Sequence, residues 1–208
     1  KIIFGGSFDP VHNGHLRIAT ELSELFSGHG VELVPCKIPL HKAALTVSAE
    51  ARRSLLEAAV KDNPVLSVNT CELDREGSSD SFTTLKSFFD QGVAPIVMAS
   101  GTDSARGLES GYRASELAGL CNLVVMKRPD FDGGALGALL ESLGFEVCED
   151  VAQLEQTESG KAYFYDVTQL QISSSDLRRK IAQNLSIKYL VPDAVQKIIC
   201  DNIKDSTL

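Results

Sequence analysis

Along the chain, short unbroken apolar runs alternate with longer stretches in which apolar residues recur every three or four positions. Ile2-Ile3-Phe4 is the first run, closed by Gly5-Gly6, and an unbroken run of this length suits a strand buried on both faces. Ile18, Ala19, Leu22, Leu25 and Phe26 then share one helical face, which Gly28 and Gly30 end. Residues 31–34 predict the next strand. Residues 35–46, with two prolines and the pair His41-Lys42, predict a long irregular loop. Ser48 is placed to cap a helix reaching Lys61, because Leu55, Leu56, Ala59 and Val60 repeat at the helical interval. Further strands are predicted over 65–68, 94–99, 122–126, 145–148 and 162–167. Further helices are predicted over 82–91, 115–120, 134–143, 174–184 and 193–203.

Strands alternating with helices, over connections long enough for crossovers, predict an α/β fold: a Rossmann-like, doubly wound, mostly parallel sheet with helices on both faces. In such sheets ligands sit beyond the carboxyl ends of the strands, where the strand order reverses. A length of 208 residues suits one core. A single domain over 1–208 is expected, with its C-terminal helical portion, from about 173 to 208, packed on the same core. No run approaches the roughly 18 apolar residues of a membrane span. The opening residues meet glycines too soon for a secretory signal, so no membrane partner and a cytoplasmic location are expected.

Charge narrows the choice of ligand. Twenty basic against twenty-eight acidic residues leave a formal charge of −8, the wrong sign for holding nucleic acid by its phosphates. A small anion stays open if positive groups gather locally. Five cysteines, an odd number without paired spacing, predict reduced, mostly buried thiols rather than a disulfide framework or zinc knuckle.

Two stretches carry chemistry. In Gly5-Gly6-Ser7-Phe8-Asp9-Pro10-Val11-His12-Asn13-Gly14-His15-Leu16, glycines directly after a first strand let backbone N–H groups approach a ligand. A helix beginning near Gly14 aims its positive end at the same place. His12 and His15, three apart, can each add an N–H donor, and the combination favours phosphate. The same pair also suits a metal, but no third His or Cys ligand lies nearby in the sequence. In Ile172-Ser173-Ser174-Ser175-Asp176-Leu177-Arg178, the serines are placed to cap a helix. Their hydroxyls, with Arg178 one turn on, also suit a second anion site.

Together these stretches resemble the two signatures of the nucleotidyltransferase superfamily, an HIGH-type motif and an ISST-x-x-R motif. Pro39-Leu40-His41-Lys42, Gly101-Thr102-Asp103, Lys127-Arg128-Pro129 and the segment from Ser186 to Pro192, SIKYLVP, are similar to motifs of bacterial nicotinate-nucleotide adenylyltransferase, in order along nearly the whole chain. The resemblance implies transfer of AMP from ATP to nicotinate mononucleotide, giving deamido-NAD and pyrophosphate by in-line attack without a covalent intermediate, with Mg2+ accompanying ATP. It assigns the chemistry to His12, His15, Lys42 and Arg178. ATP contacts fall to Gly6, Ser7, Phe8, Gly101, Asp103, Arg128, Ser173 and Ser174, and acceptor contacts to Ser81, Thr84 and Tyr112. No protein ligand set for a metal is implied. ATP and nicotinate mononucleotide are the partners, and nothing in the sequence sets an oligomeric state.

The departures concern the acceptor ring. The chain has no tryptophan, and Gly111 stands where the family usually stacks one on the pyridine. Tyr112 is the nearest substitute, and restoring Trp at 111 is expected to strengthen acceptor binding if stacking is what is missing. Pantetheine-phosphate adenylyltransferase, which shares the phosphate machinery, and a nucleotide-binding regulator without turnover are the rival readings.

Overall fold

The computed structural model describes residues 1–38, 45–77, 79–127 and 131–204, without the side chains of 202–204. β1 (Ile2–Gly6) opens with three buried residues, and α1 (Asn13–Leu25) follows with Ala19 and Leu22 on its inner face. After β2 (Val31–Pro35), the Ser48 hydroxyl accepts the Ala51 N–H and opens α2 (Ala49–Val60), which buries Leu55 and Leu56. The chain continues through β3 (Leu66–Val68), α3 (Cys71–Asp74), α4 (Ser81–Phe89), β4 (Val97–Gly101), α5 (Thr102–Arg106), β5 (Asn122–Lys127) and α6 (Gly133–Ser142). It ends with β6 (Glu146–Cys148), α7 (Gln153–Gln156), β7 (Lys161–Asp166), α8 (Ser174–Ala182) and α9 (Asp193–Lys204). Two 3-10 turns cover Gly107–Ser110 and Ala114–Gly119.

The strands form a seven-stranded sheet in the order β3-β2-β1-β4-β5-β7-β6. The registers of β1 on β4, β2 on β3, β4 on β5, β5 on β7 and β6 on β7 are all parallel. The chain steps outward from β1 to β3, then returns beside β1 and proceeds the other way. With right-handed crossovers, that reversal is what makes a sheet doubly wound. It also makes the carboxyl ends of β1 and β4 the switch point where such folds hold ligands.

By packing, the chain resolves into two compact units: residues 1–5 with 79–167, and residues 6–78 with 168–208. The first is built on Ile96, Leu123, Val124, Leu136, Leu140 and Ala162, and the second on Phe8, Leu22, Leu33, Leu55, Leu177 and Val195, all buried.

Several features differ from the expectations. β4 begins at Val97 rather than 94, because Pro95 has no N–H to give the ladder. The stretch at 115–120 is a 3-10 turn rather than an α-helix. Only Cys121 and Cys148 are buried, while Cys36 and Cys71 are half-buried and Cys200 is exposed; all five are free. Among the described residues no helix is long and apolar enough to cross a membrane.

Candidate active site

The stretch after β1 is organised by Phe8. Its ring is fully buried, although its backbone sits at φ +45, a left-handed conformation costing a non-glycine residue about 1–2 kcal/mol. Burial of a phenyl ring is worth about 1.5–3 kcal/mol, enough to offset that strain. The ring also explains Gly6, where a Cβ would come 3.0 Å from Phe8 Cζ. His15 packs edge-on against the same ring, centroids 5.0 Å apart.

α1 opens with a capping box made of histidines. The His15 N–H donates to His12 Nδ1 and the His12 N–H donates to His15 Nδ1, each at 3.3 Å. The two rings stack 3.7 Å apart at 21°. Such reciprocal bonds usually join Ser or Thr to Glu or Gln. Because both Nδ1 atoms accept, the bond network assigns the proton of each neutral ring to Nε2, a donor of the kind an anion needs. Burial pushes the His12 imidazole down to about 4, against the opposing pull of its backbone hydrogen bond, so His12 is neutral at pH 7. Gly14 makes the arrangement possible: a Cβ there would meet His12 Nδ1 at 3.0 Å and Cε1 at 3.1 Å. The first turn of α1 carries no acidic residue to offset the helix dipole.

The near-terminal serines meet this loop within the second unit. Ser173 caps α8 by accepting the Asp176 N–H at 3.1 Å. Ser174 donates to the Pro10 carbonyl at 3.0 Å. Arg178 donates to the Asp9 carbonyl at 2.6 Å, to Asp9 Oδ2 at 3.3 Å and to Ser175 Oγ at 3.2 Å. The hydroxyls of Ser173 and Ser174 therefore fasten the helix to itself and to the loop, a structural use of groups the sequence offered to a ligand. Asp176, in the first turn of α8, is paired with Arg179, which limits its effect on the positive helix end.

Two buried charges escaped the sequence-based assignment. Asp9, 3 % exposed, accepts the Thr46 and Val47 N–H groups at 3.1 and 2.8 Å as well as Arg178. Arg52, 1 % exposed, donates to the Ser7 carbonyl at 2.9 Å and the Cys36 carbonyl at 2.7 Å. The signal for Arg52 was present: it lies three and four residues before Leu55 and Leu56, inside the apolar stripe of its helix.

Gly6, Ser7, Phe8, His12, His15, Ser173, Ser174 and Arg178 thus gather in one unit. Gly101 and Asp103 belong to the other, where Gly101 caps α5 and has open space where a Cβ would stand. Thr102 Oγ1 fixes that turn by donating to the Met126 carbonyl at 3.0 Å. In the same unit Ser81 opens α4 and Thr84 is buried. Tyr112 is 58 % exposed, edge-on to Phe82 at 5.8 Å. A Cβ at Gly111 would lie 2.9 Å from the Leu108 carbonyl oxygen, so a tryptophan there requires the 3-10 turn to move. Lys42 and Arg128 lie outside the described residues.

Residues 3–180 match the family model described as cytidylyltransferase-like. The probable nicotinate-nucleotide adenylyltransferase of Chromohalobacter salexigens is 38 % identical over 198 residues, spanning 94 % of this chain and 90 % of the relative. That of Marinomonas sp. is 36 % identical over 205 residues, spanning 95 % and 90 %. The chain belongs to the cytidylyltransferase-like family, among the nicotinate-nucleotide adenylyltransferases. The family fold is seen in the nicotinic acid mononucleotide adenylyltransferase of Plasmodium falciparum complexed with NaAD. It is 19 % identical, with a TM-score of 0.69 over 98 % of this chain and 96 % of that one. In family terms, the histidine capping box is the HIGH-type motif, and Gly14 is its steric condition.

Proposed function

We propose that this protein transfers the adenylyl group of ATP to nicotinate mononucleotide, forming deamido-NAD and releasing pyrophosphate. The observation that carries the reading is the meeting of two helix N-termini, those of α1 and α8, with His12, His15 and Arg178 beside them. That arrangement suits a polyanion, and a chain with net charge −8 needs such local concentration to hold one. The names of the curated relatives support the acceptor, as does the solved structure of a fold relative complexed with NaAD.

In this reading a phosphate oxygen of nicotinate mononucleotide attacks the α-phosphorus of ATP in line. As the new P–O bond forms, the bond to the β-phosphate oxygen breaks, and pyrophosphate leaves with that electron pair. The protein's contribution is positioning and electrostatic. The Nε2–H groups of His12 and His15 hydrogen-bond the α-phosphate as charge grows on its oxygens. Arg178 and the first-turn N–H groups of α8 hold the departing pyrophosphate, with Ser173 and Ser174 setting that turn. Backbone groups of Gly6, Ser7 and Phe8 line the phosphates and Lys42 reaches them. Gly101, Asp103 and Arg128 serve the adenosine, and Ser81, Thr84 and Tyr112 the acceptor.

Magnesium enters with ATP in this reading. Among the described residues no three His, Cys, Asp or Glu side chains gather to hold a metal. The Asp9 carboxylate is engaged by two N–H groups and Arg178. An ion arriving with ATP would be held mainly by phosphate oxygens and water, and when bound would neutralise phosphate charge. A cytoplasmic location belongs to the same reading, and five free cysteines fit a reducing compartment.

The test is pyrophosphate release from ATP with nicotinate mononucleotide, nicotinamide mononucleotide or phosphopantetheine as acceptor. Deamido-NAD formed with the first acceptor is the expected result. Release only with phosphopantetheine, or with none of the three, contradicts it, and the latter points to a non-catalytic binder.

A further inference from the structure

Arg52 is the largest fully buried side chain of the described chain, and every hydrogen bond it makes goes to a main-chain carbonyl. Nε donates to Val47 at 3.2 Å, Nη1 to Ser7 at 2.9 Å and to Cys36 at 2.7 Å, and Nη2 to Lys37 at 3.5 Å. Burial lowers its pKa, with the nearby Cys36 and Asp9 opposing. Removing a guanidinium from water without a hydrogen-bonded carboxylate is costly, and an aliphatic residue would fill the stripe of α2 without that cost. What only the planar fork can do is bind several carbonyls from separate stretches at fixed angles. The stretches joined here are the phosphate loop at Ser7, the exit of β2 at 36–37, and Val47 just before α2.

The Ser7 bond has a directional consequence. The Ser7–Phe8 peptide is trans and planar, so its carbonyl and the Phe8 N–H point to opposite sides. Holding the carbonyl toward Arg52 fixes the direction of that N–H as well, at the residue whose φ of +45 its own backbone preferences oppose. Asp9 fastens the adjoining peptides by accepting from Thr46 and Val47.

We propose that Arg52 is a positioning residue for adenylyl transfer, its fork orienting the Ser7–Phe8 peptide so that the loop presents its N–H groups to the nucleotide phosphates. The inference deepens the proposed function and rests on it. Arg52 touches no substrate; it acts through the loop.

The test is a double-mutant cycle in the full chain between Arg52→Lys, which keeps the charge and loses the fork, and His15→Ala, scored by kcat for deamido-NAD formation. Arg52→Lys is expected to lower kcat about tenfold or more, with KM for both substrates within about threefold of wild type. In a His15→Ala background the same change is expected to cost no more than about threefold, because both residues serve one phosphate. A smaller folded fraction would instead multiply the two losses in full; that result, or an unchanged kcat, overturns the proposal. Should Arg52→Lys fail to fold, the wild-type chain decides by 15N NMR with added pyrophosphate. A shifted Phe8 amide resonance, with a slowly exchanging Arg52 Nε–H, supports the proposal, and an unmoved Phe8 amide overturns it. Absence of deamido-NAD from the wild type would count against the proposed function, while the pyrophosphate titration would still judge Arg52.

Discussion

Gly14 shows how a single hydrogen atom in place of a side chain shapes the candidate site. Alanine in a helix is normally favoured over glycine by roughly 0.5–1 kcal/mol, so Gly14→Ala should help α1 if helix propensity decides. The 3.0 Å approach to His12 Nδ1 decides otherwise, because the imidazole must leave its place. Gly14→Ala is expected to lower kcat about tenfold or more while the melting temperature changes by only a few degrees; unchanged turnover would remove the steric account of this glycine. His12 makes a second prediction at the same scale. Its pKa falls from 6.5 in the unfolded chain to about 4 in the fold. Between those values the unfolded chain binds the proton the folded one refuses, so stability drops as pH falls through that window and is unaffected by His12 above about 6.5. The linkage is worth roughly 3 kcal/mol at most. Denaturant melts from pH 7 to pH 4 should show a smaller loss in His12→Asn than in wild type, and parallel curves would contradict the buried, neutral assignment.

At the level of elements, the long helices and central strands were legible because their apolar residues repeat over several turns or run unbroken. α3, α5 and α7, at four or five residues each, are too short to show a period and were missed. Ser48 and Ser173 were legible as caps because an N-cap is a local event, read from one residue and the turn after it. The histidine capping box was not, since imidazoles seldom take that place. The turn around Gly111 adds what comparison of motifs could not: a Cβ there would lie 2.9 Å from the Leu108 carbonyl oxygen, so any side chain at 111 requires the backbone to shift. Gly111→Trp is expected to lower the melting temperature by several degrees without improving acceptor KM, as the Leu108 carbonyl is displaced. A tighter acceptor KM at unchanged stability would show that the turn yields easily.

Across the whole molecule, strand–helix alternation was enough to foresee a doubly wound parallel sheet, and the resemblance was enough to pair the opening loop with the near-terminal serines. Hydrophobic pattern alone could not bring Ser174 to Pro10 or Arg178 to Asp9, which are 164 and 169 residues apart, because a period describes one element and says nothing of its distant partner. Asp9 stayed hidden for a related reason: it accepts from the main-chain N–H groups of Thr46 and Val47, and main-chain groups, which every residue has, leave no mark in a sequence pattern. The central claim is that the loop and α8 hold one phosphate chain together. The most direct measurement is a crystal structure with a non-hydrolysable ATP analogue. The account predicts a single phosphate chain within about 3.2 Å of both His15 Nε2 and the Arg178 guanidinium; phosphates that reach only one of these groups, or neither, would contradict it.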